Sequence, residues 1–452
     1  MTTDAFWTRA KVAAALGVAP PDGEGPPSFV AVTTDTRHLK GGELFVALKG
    51  ERFDAHDFLA QARSSGAAAA VVRHGTPPVP GLPFYTVDEP RVALGRLARV
   101  RRRALPAGTP VVAITGSTGK TSTKELVRAA LATRVPVHAT AGNLNNEIGV
   151  PLTLLAIPEE AGAVVVEAGA SVPGEIARLR DVIEPTIGVI TNVGHSHVEG
   201  FGSLVGVMRE KLSLVDGVPV AVVGTEPPEL AVLARQRTRT IVAGAAGPGD
   251  VVAESVSLDA RGHCRLRWVG QEVTLPLFGL HQAENAMIAL AVAREAGLEP
   301  AAALAGLAHA QLPGGRGRVV ALGDLTIIDD TYNASPASLR RAVESAAWLA
   351  GARHRPLVVV VGTMLELGPE SARLHAAAAE EILRHEPALI GAVGEFESSF
   401  ARFRDRLGAR LLVAADAEEL GPRLKAALHG NEVVLLKASR GVALERVLPH
   451  LS

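Results

Sequence analysis

The chain has 452 residues, 47% of them hydrophobic and 21% charged, which excludes a chain dominated by disorder and allows two to four domains at ~100 to 200 residues each. Lysine plus arginine (46) nearly balances aspartate plus glutamate (47), so the broad electrostatic pull that nucleic-acid and membrane-surface binders rely on is missing and neither partner is expected. The single cysteine, Cys264, allows no internal disulfide or thiolate metal cluster; with no apolar run near ~18 residues and no signal-peptide pattern at the start, a cytoplasmic protein is expected.

In chain order, 29–32, 44–47 and 69–72 read as strands and 58–64 as a helix, giving a small α/β domain over residues 1–85. A helical pattern then runs to Arg99, Arg101, Arg102 and Arg103, a basic cluster expected to be a solvated helix end, and leads to a strand at 111–114. Apolar β-branched runs at 163–166, 187–190 and 218–223 alternate with helical patterns, as in βαβ units whose strands are buried in a parallel sheet. This second, P-loop ATPase-like domain is placed at 86–311. Alternation at 251–258 and 264–269 interrupts it with an antiparallel insertion, and a helix pair at 283–296 and 301–309 closes it before a hinge at Pro313-Gly314-Gly315. Strands at 325–328, 357–361, 389–393, 411–414 and 433–436, separated by helices, complete a Rossmann-like, doubly wound domain at 312–452.

The sharpest local signal is Thr115-Gly116-Ser117-Thr118-Gly119-Lys120-Thr121, followed by Ser122, between a buried strand and a helix. Such a loop turns backbone N–H groups and a helix N-terminus toward phosphates; Lys120 meets the β- and γ-phosphates and the Thr121 hydroxyl can ligate magnesium. The longer form of the motif needs a glycine at 114, which is Ile114 here. At the ends of the next strands stand Glu167 and Gly169, then Asn192, His195 and His197, on the side of a parallel sheet where ligands bind. Magnesium prefers oxygen ligands, which suits Glu167. By position alone Glu167 reads equally as a solvent-facing charge, His197 as an ordinary loop histidine, and Lys211 as a surface lysine on a helix.

Together these elements resemble the Mur ligases, and the resemblance runs through nearly the whole chain. Thr34-Asp35-Thr36-Arg37 and the block at 45–57, with Lys49, look like the uridine-nucleotide region of the members that add D-alanyl-D-alanine. The block at 140–151, with Asn143, Asn145 and Asn146, separates these members from the sibling that adds the third amino acid, whose loop is threonine-rich. The resemblance implies that Glu167 and His197 join Thr121 as magnesium ligands, and that Lys211 is carbamylated by carbon dioxide, although Ser213 replaces the usual acidic residue two positions on. His281 and Asn285 match the adenine-side motif, for which simple helix capping is the alternative; Gln282 stands where an asparagine is common. Arg316 matches a contact to the transferring phosphate, and Asp330, with Asn333, a contact to ribose. The blocks at 362–368 and 437–441, the latter with Ser439 and Arg440 for the amino substrate, complete the match, with Thr363 at a position that is often aspartate.

The implied substrates are ATP with Mg²⁺, UDP-MurNAc-tripeptide and D-alanyl-D-alanine, acted on by a monomer. In the implied reaction the tripeptide carboxylate attacks the γ-phosphate to give an acyl phosphate, and the dipeptide amine displaces phosphate. The base that frees this amine, whose pKa in water is about 8, is not evident in the sequence. Two rivals remain: a ligase that adds the third residue, and a P-loop kinase or nucleotide switch that makes no amide.

Overall fold

The computed structural model describes residues 6–21, 26–195 and 198–451. Three large sheets organise them. Val32–Thr33, Leu44–Val46, Ala69–Arg73 and Phe84–Val87 form a parallel four-stranded sheet in sequence order. Its strands are short and apolar on both faces; one face packs on the helices Arg9–Leu16 and Pro90–Arg103 through Val12, Leu16, Leu94 and Leu97.

The second sheet has seven parallel strands in the order Val251–Val252, Arg239–Gly244, Val220–Val223, Ile187–Ile190, Val111–Thr115, Ala163–Glu167 and Val137–Ala139. The four inner strands from Val220–Val223 to Ala163–Glu167 are buried throughout, as the continuous valine and isoleucine runs require of a sheet covered on both faces. On one face the helix Lys120–Leu131 packs against the alanine-rich helix Gln282–Glu295. Fully burying Leu126, Val127 and Leu131 there contributes about 1.5 to 3 kcal/mol each. The strands Ser255–Leu258, His263–Trp268 and Gln271–Phe278 form the antiparallel insertion. The short run Val251–Val252 belongs instead to the parallel sheet.

The third sheet orders Arg318–Leu322, Leu325–Asp330, Val433–Lys437, Leu357–Gly362, Leu389–Val393 and Leu411–Ala414. All pairs are parallel except the first, whose edge strand hairpins back on Leu325–Asp330 and makes the sheet mixed. That edge strand is half-exposed even though Val319, Val320, Ala321 and Leu322 are apolar, whereas its neighbours are buried. The fold is therefore α/β throughout, with two parallel sheets and one mixed sheet. Phe278, the last residue of the insertion, is buried in the third core, and Arg353 donates to the carbonyl of Ala260, so the insertion bridges the second and third sheets.

The basic cluster departs from expectation. Arg102 is half-buried and donates to the carbonyls of Ile183 and Glu184, Arg101 to that of Ile157, and Arg99 and Arg103 to the Glu184 carboxylate. Arg102 satisfies orphan carbonyls at the end of the helix Glu175–Ile183, so the run ties helices together, while Arg99 and Arg103 remain exposed to water as expected. Cys264 is wholly buried, with its thiol pushed up to about 12 by burial, which leaves it an inert core residue. Among the described residues no helix is long and apolar enough to cross a membrane.

Candidate functional site

The chain enters the second sheet at Val111–Thr115, moves out to the edge at Val137–Ala139, returns to Ala163–Glu167 and crosses to Ile187–Ile190 on the other side. That reversal opens a crevice at the carboxyl end of Val111–Thr115, where 116–119 leads into the helix Lys120–Leu131. Gly119 caps the helix with φ +79°, and a Cβ there would lie 2.5 Å from Asn285 Oδ1, so only glycine fits. The loop is held from the side: Asn192 Oδ1 accepts from the Thr118 amide at 3.0 Å and hydroxyl at 3.1 Å, and Thr191 Oγ1 donates to the Thr118 carbonyl at 2.6 Å. With the Thr118 amide, and that of Ser117, donating to Asn192, the loop keeps its shape, and the first-turn amides of the helix Lys120–Leu131, which have no acceptor within the helix, are left for an anion.

Ile114 pairs with Glu167 across the sheet, which brings the end of that strand beside the loop. Thr121 Oγ1 donates to Glu167 Oε2 at 2.8 Å, Asn145 Nδ2 donates to Oε1 at 3.0 Å, and the Glu167 amide donates to Thr140 Oγ1 at 2.9 Å. The carboxylate is almost fully buried and carries no cationic hydrogen-bond partner in this set. Two oxygen donors 2.8 Å apart, beside a phosphate loop, fit a magnesium ion that takes its remaining ligands from phosphates and water. No cluster of three His, Cys, Asp or Glu among the described residues could hold a metal by itself. Lys120 Nζ folds back onto the Gly116 carbonyl at 2.8 Å, its pKa lowered by burial and by Arg316 against the opposing pull of Glu167 and Glu366.

The third sheet supplies the opposite wall of a cavity of about 660 Å³. Lys437 Nζ reaches Asp330 Oδ2 at 2.5 Å and the Asn333 carbonyl at 2.9 Å. Burial raises the Asp330 carboxyl against the lowering effect of Lys437. Arg316 lies 3.8 Å from the centre of the Tyr332 ring, with its buried Nε lacking a hydrogen-bond partner. His281 stands at the start of the helix Gln282–Glu295 without capping it; its buried Nδ1 has no partner, and burial, then Arg341 and Lys437, pushes the ring down to about 3. A neutral imidazole beside a cavity suits a heterocycle better than a phosphate. Asn285 is held by Thr123 at 3.2 Å and Gln282 at 3.0 Å.

The structure brings Ser117 to Ser122, Asn143, Asn145, Asn146, Glu167, His281, Asn285, Arg316, Asp330, Asn333, Ser439 and Arg440 onto this one cavity. Gly116 lies at the root of the loop. Asn146 caps the helix Gly149–Leu155 through the amides of Ile148 and Gly149. Thr34, Asp35, Arg37 and Lys49 lie away from the cavity on the first sheet, where Arg37 grips Asp35 through two nitrogens and holds its carboxyl at about 2. Lys49 is exposed and 3.8 Å from Asp54. His197 lies outside the described residues.

Lys211 is not on the surface. It is 1% exposed, its Nζ has no hydrogen-bond partner and lies 5.7 Å from the Phe201 ring centre, and burial and then Lys120 push its pKa down to about 7. Ser213 ends its helix and donates to the Glu210 carbonyl. Thr363 does not line the cavity; its hydroxyl accepts from the Glu395 amide at 3.0 Å at the start of the helix Glu395–Ala401. Sequence reading assigned no role to Arg341, Glu366 or Lys437, which also line the cavity. Glu366 and Lys437 lie in the blocks at 362–368 and 437–441 and Arg341 in none, and what each meets is set by tertiary packing.

Comparison with known proteins agrees with this geometry. The Mur ligase family catalytic domain matches residues 28–145, the Mur ligase middle domain 114–293, and the Mur ligase glutamate ligase domain 315–440. The UDP-N-acetylmuramoyl-tripeptide--D-alanyl-D-alanine ligase of Escherichia coli (strain K12) is 37% identical over 434 residues, covering 93% of each chain. Among solved structures, MurF from Acinetobacter baumannii aligns with a TM-score of 0.87 at 31% identity over 98% of both chains. MurF ligase from Thermotoga maritima, in complex with ADP, gives 0.83 at 29% identity over 93% of this chain and 96% of that one. A phosphate loop clamped to Glu167, a facing wall from the third sheet and matches along almost the full length lead to one conclusion: the chain belongs to the Mur ligase family.

Proposed function

We propose that this enzyme joins D-alanyl-D-alanine to the terminal carboxylate of UDP-MurNAc-tripeptide at the expense of ATP, as a cytoplasmic monomer in peptidoglycan precursor synthesis. The observation that carries this reading is the single cavity in which the phosphate loop and Glu167 face Arg316, Asp330 and Lys437. Residues 1–85 would take the uridine nucleotide through Thr34, Asp35, Arg37 and Lys49, residues 86–311 ATP, and residues 312–452 the dipeptide, with Ser439 and Arg440 at its site. The E. coli and T. maritima relatives support the substrates and the nucleotide respectively.

Phosphoryl transfer needs positioning and charge neutralisation more than covalent help. Lys120 and Arg316 would neutralise the γ-phosphate, the first-turn amides of the helix Lys120–Leu131 would hold it, and Asn145 would keep Glu167 in place. Thr121 and Glu167, with His197, would hold magnesium, which would supply positive charge to offset that of the phosphates. Asp330 and Asn333 would meet the ribose, and His281 and Asn285 the adenine. The second wall then closes water out, so that the acyl phosphate meets an amine before it hydrolyses.

Lys211 fits a carbamate. Its amine, held near neutrality with no partner, can take up carbon dioxide, and the product replaces a cation that repels Lys120 with an anion that attracts it. Lys211→Ala is expected to lose most activity and to regain part with added formate, while Lys211→Arg stays inactive; a fully active Lys211→Arg would remove this role. The overall reading is tested by phosphate release with ATP and magnesium, which should require both the tripeptide nucleotide and D-alanyl-D-alanine. Release independent of the dipeptide would favour a kinase or switch.

A further inference from the structure

We infer that Lys124 is a positioning residue for the magnesium donors, an inference that rests on the reading of Thr121 and Glu167 as those donors. Lys124 lies one turn on from Thr121 in the helix Lys120–Leu131, so both project from the same side of that helix. It is 1% exposed and does not line the cavity. Its Nζ donates to the Thr140 carbonyl at 2.6 Å and lies 2.8 Å from Glu125 Oε1, while Arg128 Nε donates to Glu125 Oε2 at 2.7 Å. A buried ammonium costs free energy unless its donors are paired, so a helix that needed only to pack would carry an apolar side chain here.

What the ammonium grips accounts for its charge. Thr140 follows the strand Val137–Ala139, which lies at the edge of the second sheet, is three residues long and pairs only with Ala163–Glu167. Such a short edge has little of its own to stop its end from fraying. The Thr140 amide donates to the Val165 carbonyl at 3.0 Å, and Thr140 Oγ1 accepts from the Glu167 amide at 2.9 Å. Beyond Thr140 the chain turns back to Asn145, whose carbonyl accepts from the Gly169 amide at 2.7 Å and whose Nδ2 donates to Glu167 Oε1 at 3.0 Å. The links close a circuit. Thr121 meets the Glu167 carboxylate, the Glu167 amide meets Thr140, and Thr140 returns to Lys124 on the helix that carries Thr121. The two oxygen donors are thereby held at a fixed spacing from both ends, one by the start of the helix and the other by a strand end that the same helix grips. Groups that hold a metal-binding carboxylate from behind change metal affinity or activity by about 10- to 100-fold when removed. Lys124 acts on the donors only through Thr140.

The test measures ADP binding by calorimetry to the full enzyme, with and without magnesium, and takes the ratio of the two affinities as the magnesium advantage. Lys124→Met and Thr140→Val should each lower that ratio by about 10-fold or more while ADP binding without magnesium stays near wild type. Lys124→Arg, which keeps a charged donor, should recover part of it. Because both residues act through one circuit, the double variant should lose no more than the larger single loss. An equal fall in affinity with and without magnesium would make Lys124 a purely structural residue of the phosphate helix, an unchanged ratio would detach it from the metal donors, and losses that multiply in the double variant would make the two residues independent; each overturns the proposal. Should Lys124→Met fail to fold, as judged by thermal unfolding, Lys124→Gln takes its place: a wild-type ratio overturns the proposal and a lowered one supports it. Wild-type enzyme that binds ADP equally with and without magnesium would overturn the reading of Thr121 and Glu167 itself, and the proposal with it.

Discussion

The two walls of the cavity are built differently. On the second-sheet side, neutral groups and backbone amides do the holding: Asn192, Thr191, Asn145 and Thr140 fix the phosphate loop and Glu167 through hydrogen bonds of 2.6 to 3.1 Å. On the third-sheet side, charge pairs hold the shape: Lys437 with Asp330, and Arg341 with Glu226 of the second-sheet unit. The difference teaches what each wall is for. A wall of fixed dipoles is ready for anions without reorganising, whereas a wall tied by ion pairs binds groups of either sign and can be adjusted against its partner.

The largest effect expected of this contrast is on chemistry without stability. Lys120→Ala and Glu167→Ala should each lower turnover by about 1000-fold or more while leaving thermal unfolding close to wild type, since the surrounding loop is held by other groups. Near-normal phosphate release in either variant would remove the second-sheet wall from catalysis. Lys437→Met should do the reverse of a clean catalytic lesion. It leaves the Asp330 carboxylate without its partner and should cost about 3 to 5 kcal/mol of stability, read by urea unfolding, together with activity. A variant as stable as wild type would show that the ion pair does not hold that wall.

A third expectation concerns pH. The Lys211 amine falls from an ordinary 10.5 to about 7 on folding, so between those values the unfolded chain binds more protons than the folded one. Stability from this group must therefore rise with pH across that window, by up to about 1.4 kcal/mol per pH unit. In buffer free of carbon dioxide, the stability of wild type relative to Lys211→Met should climb between pH 7 and 10 and be flat below pH 6. A difference that does not change with pH would mean that the folded lysine is an ordinary ammonium. The smallest effect belongs outside both walls. Arg37→Ala removes an exposed pairing with Asp35, so stability should hardly change. KM for the tripeptide nucleotide should rise about tenfold with kcat unchanged, as expected of uniform binding. A change in kcat instead would connect this surface to the reacting atoms.

How much of this was readable from the chain depended on sequence distance. The phosphate loop was legible because its parts are consecutive, and the buried strands at 163–166 and 187–190 because β-branched runs signal a parallel sheet. The antiparallel edge Arg318–Leu322 was missed because it is short and half-exposed, and the tethering of Arg101 and Arg102 was missed because their carbonyl acceptors lie 56 to 82 residues away. Thr363, at a position that is often aspartate, accepts from the Glu395 amide 32 residues on, a partner that the motif around it does not reveal.

The sequence by itself determined the alternation of strands and helices, the phosphate loop and the family to which the chain belongs, since all are carried by residue order within short segments. Tertiary structure alone decided that Lys211 is a buried amine with no hydrogen-bond partner and that Lys437 clamps Asp330 across 107 residues. The physical reason is that burial, desolvation and charge proximity belong to the packing of segments distant in the chain. Asp330 and Lys437 meet because their strands are neighbours in the third sheet, and Lys211 is desolvated by the elements packed around its helix in the second-sheet unit.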